Sequence, residues 1–402
     1  MVFLKYNKIL LGAAMEDYSQ SIPEYLITGI KKRDINSEVF KKTYTDYRNK
    51  DIENFQPDKR SLISKYRSVI SKYRYEELSA LVSKAITVSL TSYPARIWGV
   101  SDVLKTIFAQ TVQPDHIRLC LVCSDFPGRE ADLPENLTNL IEAGKISIRW
   151  SDFDLKPHNK YFHTMLDYPD DIVLTIDDDI YYDPDMIEKL YLSYLEFPDF
   201  VSANRTHLIT FDANGRFEPY MDWLLQQEVV VNKPAMQLFA TGVAGVLYPP
   251  HLLNKELFNR NVIEKRCIYA DDIWLKAIEI FSDVPTVQTA RYCTMKILPN
   301  SQQNALLIKN TQGKRNDLII TSVSAYFDEL YGRGYLENKI RNSMENVSFT
   351  INDLLDNTRE MSAKYQNEIN SIYESESWKI GQVIVNPMHK AKEIFNKICG
   401  KK

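Results

Sequence analysis

With 402 residues, 44% of them hydrophobic and 25% charged, the chain has the composition of an ordinary soluble protein and length for a large core in two or three domains. A net charge of -4 exerts no global pull toward nucleic acid, and no apolar stretch reaches the roughly 18 uninterrupted residues of a membrane span. Five scattered cysteines, an odd number in a large chain without a secretory signal, favour reduced thiols and a cytoplasmic setting.

Residues 1–84 read as an N-terminal helical extension rich in Lys, Arg, Tyr and Glu. Within SLISKYRSVISKYRYEEL the tetrad S-K-Y-R recurs at a seven-residue spacing, placing Ile63, Tyr66, Ile70 and Tyr73 on one helical stripe. Such a stripe serves as a basic aromatic surface for an anionic polymer or, as expected here, packs against the neighbouring domain.

Residues 85–317 change texture. AITVSL, IRLCLVC, ISIRW and DIVLTI read as strands, and VSDVLKTIFAQ and PDMIEKLYLSYLEF as helices between them. In the second helix Ile187, Leu190, Tyr191, Tyr194 and Leu195 recur at three and four and predict one buried face. Alternating strands and helices predict an α/β domain with a mainly parallel sheet flanked by helices, whose ligands sit beyond the carboxyl ends of the strands. Cys120 and Cys123 fall within one strand and lack a second pair, so core packing is expected of them rather than metal binding.

Residues 318–374 read as a long helix. Ile340, Met344, Val347, Ile351, Leu354, Thr358, Met361 and Tyr365 are spaced 4, 3, 4, 3, 4, 3, 4, and Ile372 keeps the register, the pattern of a coiled-coil seam. Self-association through 340–372 is expected, narrowly ahead of a long helix laid along the preceding domain, because the stripe is narrow. Residues 375–402 form a basic tail: from Lys379 on, six lysines face one glutamate, a local +5. Its apolar positions Met388, Ala391, Ile394, Phe395 and Ile398 suit an interfacial helix at 378–402 on an anionic leaflet, and a solvated tail fits the composition equally.

The residues with chemistry collect at predicted strand ends. In VLTIDDDIYY an extended chain would place Asp177 and Asp179 on one side, about 6.6 Å apart. Carboxylates there suit a divalent cation shared with a diphosphate. The strand AITVSL runs into Thr91, Ser92, Tyr93 and Arg96, an aromatic face and a guanidinium suited to a base and a phosphate. Ser124 and Asp125 end the next strand, and His158, Asn159 and Lys160 precede the acidic one. In LFATGVAGVLYPP small residues allow a ligand close to the backbone at Thr241 and Gly242. In IYADDIWLKAIEI, Asp271 and Asp272 stand at the mouth of a helix, suited both to capping it and to general-base work with a raised pKa.

SLTSYPAR, DLKPHNKYF, IDDDIYYDPDMIEKL, the glycine run and ADDIWLK, in that order, resemble bacterial polysaccharide glycosyltransferases of the GT-A fold, and are similar to capsule enzymes of the heparosan N-acetylglucosaminyltransferase kind. The resemblance covers residues 85–317. It implies a Rossmann-like GT-A domain using a nucleotide sugar, usually a UDP-sugar, and a saccharide or lipid-linked saccharide acceptor. Asp177, Asp178 and Asp179 would form the Asp-x-Asp motif, with Asp179, aided by Asp177, holding Mn2+ or Mg2+. Thr91, Tyr93, Arg96, Asp125 and Lys160 would contact the nucleotide, and Asp177 and Asp178 would face nucleotide and sugar. Asp271 and Asp272 would be the acidic catalytic pair, with Asp272 the base. Late histidine ligands common in such enzymes are missing between His251 and His389, leaving the metal to aspartates, diphosphate and water. Arg205, His207 and Trp223 lie in a polar, aromatic stretch suited to an acceptor sugar. A haloacid-dehalogenase-like phosphatase and an idle coiled-coil scaffold are the alternatives, the former disfavoured because several strands precede the aspartates.

Overall fold

The computed structural model describes residue 69, residues 72–228, 230–289, 296–298 and 315–345. Met1–Met344 and Glu345–Lys402 form separate compact units, and the described fold belongs to the first.

The predicted strands form where expected: β1 (Ile86–Thr91), β2 (His116–Val122), β3 (Ser147–Ser151) and β4 (Ile172–Thr175). Between them lie α1 (Tyr75–Val82, ahead of β1), α2 (Val100–Phe108), α3 (Glu135–Glu142) and α4 (Asn159–Asp167). There follow β5 (Ile180–Tyr181), α5 (Met186–Glu196), β6 (Val201–Ala203), β7 (Thr206–Leu208), β8 (Pro234–Ala235), β9 (Leu238–Ala240) and β10 (Val246–Tyr248). Next come α6 (Asp271–Phe281), β11 (Thr286–Gln288), β12 (Lys296–Ile297), α7 (Arg315–Tyr331) and α8 (Tyr335–Glu345).

Eight strands make one sheet in the order β3-β2-β1-β4-β10-β6-β11-β8. β10 and β8 run against the rest, so the sheet is mainly parallel, as the strand–helix alternation predicted. Both faces are covered. Ile86, Val88 and Leu90 of β1, and Leu174 of β4, enter a core with α1, α2, α3 and α5. The alternate residues Thr87 and Ser89 face the other way: Thr87 Oγ1 donates to Asp171 Oδ2 (2.6 Å), and Ser89 Oγ meets Thr164 Oγ1 of α4 (2.7 Å). The period of two therefore decides which layer each side chain joins.

Helix α2 buries Val100, Val103, Leu104 and Ile107, the 3-4 spacing of one face. Helix α5 buries all five predicted positions and also Glu188, whose carboxylate accepts from Thr111 Oγ1 at 2.5 Å. In α6 the fully buried Trp274 donates from its indole to the Leu257 carbonyl (3.0 Å) and lies among Tyr326 and Phe327 of α7.

The predicted boundary at residue 317 falls inside α7, and α7 and α8 pack into the second core together with α6. Ile340 is fully buried there and Met344 packs against it, so the first two positions of the expected seam serve this core instead of a partner helix. Seam positions from Val347 on, the basic tail and most of the S-K-Y-R stripe lie outside the described residues. From that stripe, Tyr73 is held on the domain by its hydroxyl, which donates to the Leu195 carbonyl (2.6 Å). Tyr73 itself is not helical, and α1 starts at Tyr75. Cys120 is buried in β2 as expected, and among the described residues no helix is long and apolar enough to cross a membrane.

Candidate active site

The chain order β1, β2, β3 grows to one side and β4 is placed on the other side of β1, so strand order reverses between β1 and β4. Ligands of open α/β sheets bind in the crevice outside such a reversal. Ser92 and Arg96 follow β1 there, and Asp177, Asp178 and Asp179 follow β4. Because β10 runs antiparallel to β4, pairing Val246 with Thr175, the Gly242 turn that precedes it comes back to the same edge. The N-terminus of α6, with Asp271 and Asp272, completes the group.

The acidic motif is a turn and not an extended run, which overturns the expectation that Asp177 and Asp179 share one side. Asp178 is buried against Ser92 Oγ (2.6 Å) and Arg96 Nη1 (2.8 Å), while Arg96 Nη2 reaches Asp179 Oδ2 at 3.0 Å. Burial pushes the Asp178 carboxyl up, against the pull of Arg96. Asp178 therefore anchors the turn, its oxygens taken by Ser92 and Arg96. The backbone N–H of Asp177 donates to Tyr182 Oη (2.8 Å), and that of Leu298 to the Asp179 carbonyl (2.8 Å), next to the β5–β12 pairing. Of the three aspartates Asp177 is the most open, with 30% of its side chain exposed against 6% and 10% for Asp178 and Asp179.

Asp177 turns toward Lys160. The buried ammonium lies 2.9 Å from Asp177 Oδ1 and 2.8 Å from Asp271 Oδ2, the latter an ion pair too oblique for a well-formed hydrogen bond. Asp272 accepts from the Gly242 N–H at 3.2 and 3.3 Å. Burial disfavours the charge on Asp271, yet Lys160 holds its carboxyl below the usual range. Asp272 keeps part of its surface open but is densely surrounded. Burial first, and Asp271 second, push it up to about 8. The two neighbours are thus driven apart, one ionised and one protonated at neutral pH, the division expected of an acid–base pair. Both sit in the first turn of α6, whose N-cap is Ala270, so the expected side-chain capping role does not materialise.

Five carboxylates (Asp177, Asp178, Asp179, Asp271, Asp272) share the cations Lys160 and Arg96. The carboxylates outnumber the cations Lys160 and Arg96, an excess of negative charge that a divalent cation would offset. Asp177 offers it the more accessible carboxylate; Asp179 is less exposed and shares its Oδ2 with Arg96. Among the described residues no three or more His, Cys, Asp or Glu side chains converge on one point.

The remaining expected residues divide. Thr91 Oγ1 is tied to the Cys120 carbonyl (2.8 Å), Arg96 lies over the Tyr93 ring (5.7 Å), and Asp125 is half-buried beyond β2. Asn159 is not at the site: its amide is spent on Leu155 N and Asp154 in the turn before α4. His158 is buried, bonded to Tyr161 and to the Cys267 carbonyl, and held neutral by burial, with its pKa down to about 4. Thr241 and Arg205 bond one another through side chain and backbone beside the glycine turn. His207 and Trp223, expected to hold an acceptor, are core residues: His207 stacks on Phe239, Trp223 packs on Tyr220 and Phe239, and both are 5% exposed or less. Sequence reasoning missed Tyr182, whose only signal was its place in IDDDIYY, and Leu298, which carried none.

A Cβ at Gly242 would lie 2.9 Å from Lys160 Nζ and 3.2 Å from Asp272 Oδ1. Gly242→Ala is accordingly expected to push the lysine from its place between Asp177 and Asp271 and to lower the melting temperature, measured by thermal unfolding.

No family model matches the chain, and no curated protein does. Among solved structures it is similar to a mannosyltransferase from Pyrobaculum calidifontis in complex with GDP-Man and Mn2+, with 8% identity, TM-score 0.35 and coverage of 85% of this chain and 99% of that one. It is also similar to glucosyl-3-phosphoglycerate synthase from Mycobacterium tuberculosis in complex with Mn2+, UDP and glucosyl-3-phosphoglycerate, with 12% identity, TM-score 0.36 and coverage of 63% and 84%. Likeness of this degree carries no argument about chemistry, which rests on the residues above.

Proposed function

We propose that the chain is a metal-dependent glycosyltransferase of the GT-A type, moving a sugar from a nucleotide sugar, a UDP-sugar in the first instance, to a saccharide or lipid-linked saccharide acceptor in bacterial surface polysaccharide synthesis. The observation that carries this reading is the meeting of Asp177, Lys160, Gly242 and the split pair Asp271/Asp272 at the sheet's reversal point, with negative charge in excess. Asp177 and Asp179 would hold Mn2+ or Mg2+, which when bound would offset the charge of a leaving diphosphate. Asp272, its oxygens held by the Gly242 N–H, would take the proton of the acceptor hydroxyl once it has lost its own, which with a pKa about 8 places the working range on the alkaline side of neutral. Thr91, Tyr93 and Asp125 would line the nucleotide side and Arg205 with Thr241 the acceptor side.

A screen of UDP-, GDP- and CMP-sugars with Mn2+ should find one that raises the melting temperature, by linkage about 2.7 kcal/mol at a hundredfold excess over Kd. The same donor should be hydrolysed slowly, and Asp177→Asn should abolish that hydrolysis. Release of phosphate from generic monoesters without response to any nucleotide sugar would replace this reading with a phosphatase. We further propose that the heptads beyond residue 345 associate with a second copy and that residues 378–402 rest on the cytoplasmic leaflet. Deletion after Ser375 should then end liposome binding, whereas unchanged binding would remove the anchor.

A further inference from the structure

We infer that Lys160 is a positioning residue, a buried bridge whose ammonium sets the spacing between the strand-end carboxylate Asp177 and the helix-end pair Asp271/Asp272, and not a ligand of the nucleotide phosphates. The inference rests on the glycosyltransferase reading for its catalytic consequence only.

Four separate stretches of chain meet at this one side chain. Lys160 stands in the first turn of α4, its carbonyl accepting a hydrogen bond from Ser89 Oγ of β1, so its backbone is fixed to the sheet. Its side chain is 5% exposed and ends 2.9 Å from Asp177 Oδ1, beyond β4, and 2.8 Å from Asp271 Oδ2, at the start of α6. The fourth stretch is the turn before β10, where the missing side chain of Gly242 leaves room: a Cβ there would stand 2.9 Å from the ammonium. A lysine aimed at a phosphate would need a free, partly solvated ammonium. This one is enclosed between two carboxylates, and removing it leaves the buried Asp271 without a counter-charge and the half-buried Asp177 without its partner. Asp271 precedes Asp272 directly on the rigid first turn of α6, so a shift of the Lys160–Asp271 contact moves the base with it. A displacement of about 1 Å at a reacting group costs on the order of a hundredfold in rate.

The test uses the full chain with Lys160→Met, Asp177→Asn, Asp271→Asn and the double variants that pair Lys160→Met with each aspartate change. Lys160→Met is expected to melt at least about 5 °C below the parent, with each double variant recovering part of the loss, because removing both partners of a buried pair is milder than removing one. With the donor found above, Lys160→Met should lose at least about a hundredfold in kcat while its KM stays within about threefold. Additive melting shifts in either cycle would overturn the bridge, as would a raised KM at unchanged kcat. If the parent turns over no nucleotide sugar while both melting cycles still show coupling, the bridge stands and the glycosyltransferase reading is what fails. Should Lys160→Met not fold, the Lys160→Met/Asp271→Asn chain carries the kinetic arm.

Discussion

Asp272→Asn should abolish transfer and at the same time raise the melting temperature of the ligand-free protein at pH 8 and above. The Asp272 carboxyl is pushed up to about 8 in the folded chain by burial and by Asp271, against about 3.9 for an unfolded aspartate. A folded-state pKa above the unfolded one means that the native state binds a proton the unfolded state has released. The stabilisation from this group is complete below pH 4 and is lost progressively as pH rises through about 8. Each pK unit corresponds to about 1.4 kcal/mol, and partial solvent access reduces the full effect, so a gain of roughly 2 kcal/mol for the neutral variant at pH 9 is the reasonable scale. Asparagine keeps the oxygen that accepts from the Gly242 N–H, so the geometry survives while the base does not. Melts of both proteins from pH 4 to 9 should coincide at the acid end and diverge toward the alkaline end. In the parent, kcat/KM should climb with pH and level off above about 8; equal melts at pH 9 would remove Asp272 as the base.

Arg96→Met should cost about 3–5 kcal/mol of stability before any ligand is added. Arg96 reaches Asp178 at 2.8 Å and Asp179 at 3.0 Å with 16% of its own side chain exposed, so its loss leaves two buried carboxylates against each other. A pair so enclosed is little screened, and the deficit should persist in 0.5 M salt, about five times the concentration at which exposed pairs begin to fade. Urea unfolding with an unchanged slope and a lowered midpoint is the expected result. A parent-like midpoint would mean that Arg96 is free to serve a nucleotide phosphate, as the sequence reading had it.

The elements were legible where hydrophobic spacing is dictated by packing. All four early strands, α2, α5 and α6 lie where their periodicity put them, because a buried stripe or an alternating face admits few alternatives. The meeting of strand ends was legible for the same reason. The internal counter-ions were not: Arg96 and Lys160 look, as letters, like phosphate ligands, and only the fold reveals that each is already enclosed by two aspartates. His207 and Trp223 have the residue types of a sugar platform, and such types equally fill a core when their polar tips find partners, as the Trp223 indole does at the Glu218 carbonyl. The direction of β10 was equally invisible, since alternation reads the same in a parallel and an antiparallel strand.

That reversed strand has a consequence for how the molecule is assembled. On one side of the β4–β10 contact every strand of the main sheet comes from residues 86–175, and on the other every strand comes from residues 201–288. A growing chain can therefore complete the half bearing Arg96, Lys160 and the acidic turn while the half bearing Gly242 and Asp272 has yet to be made. The two are zipped together by β10, only three residues long. A slip of one residue in that pairing would turn its side chains to the opposite faces and carry Gly242 away from Lys160, so the spacing of the whole site hangs on one short registration.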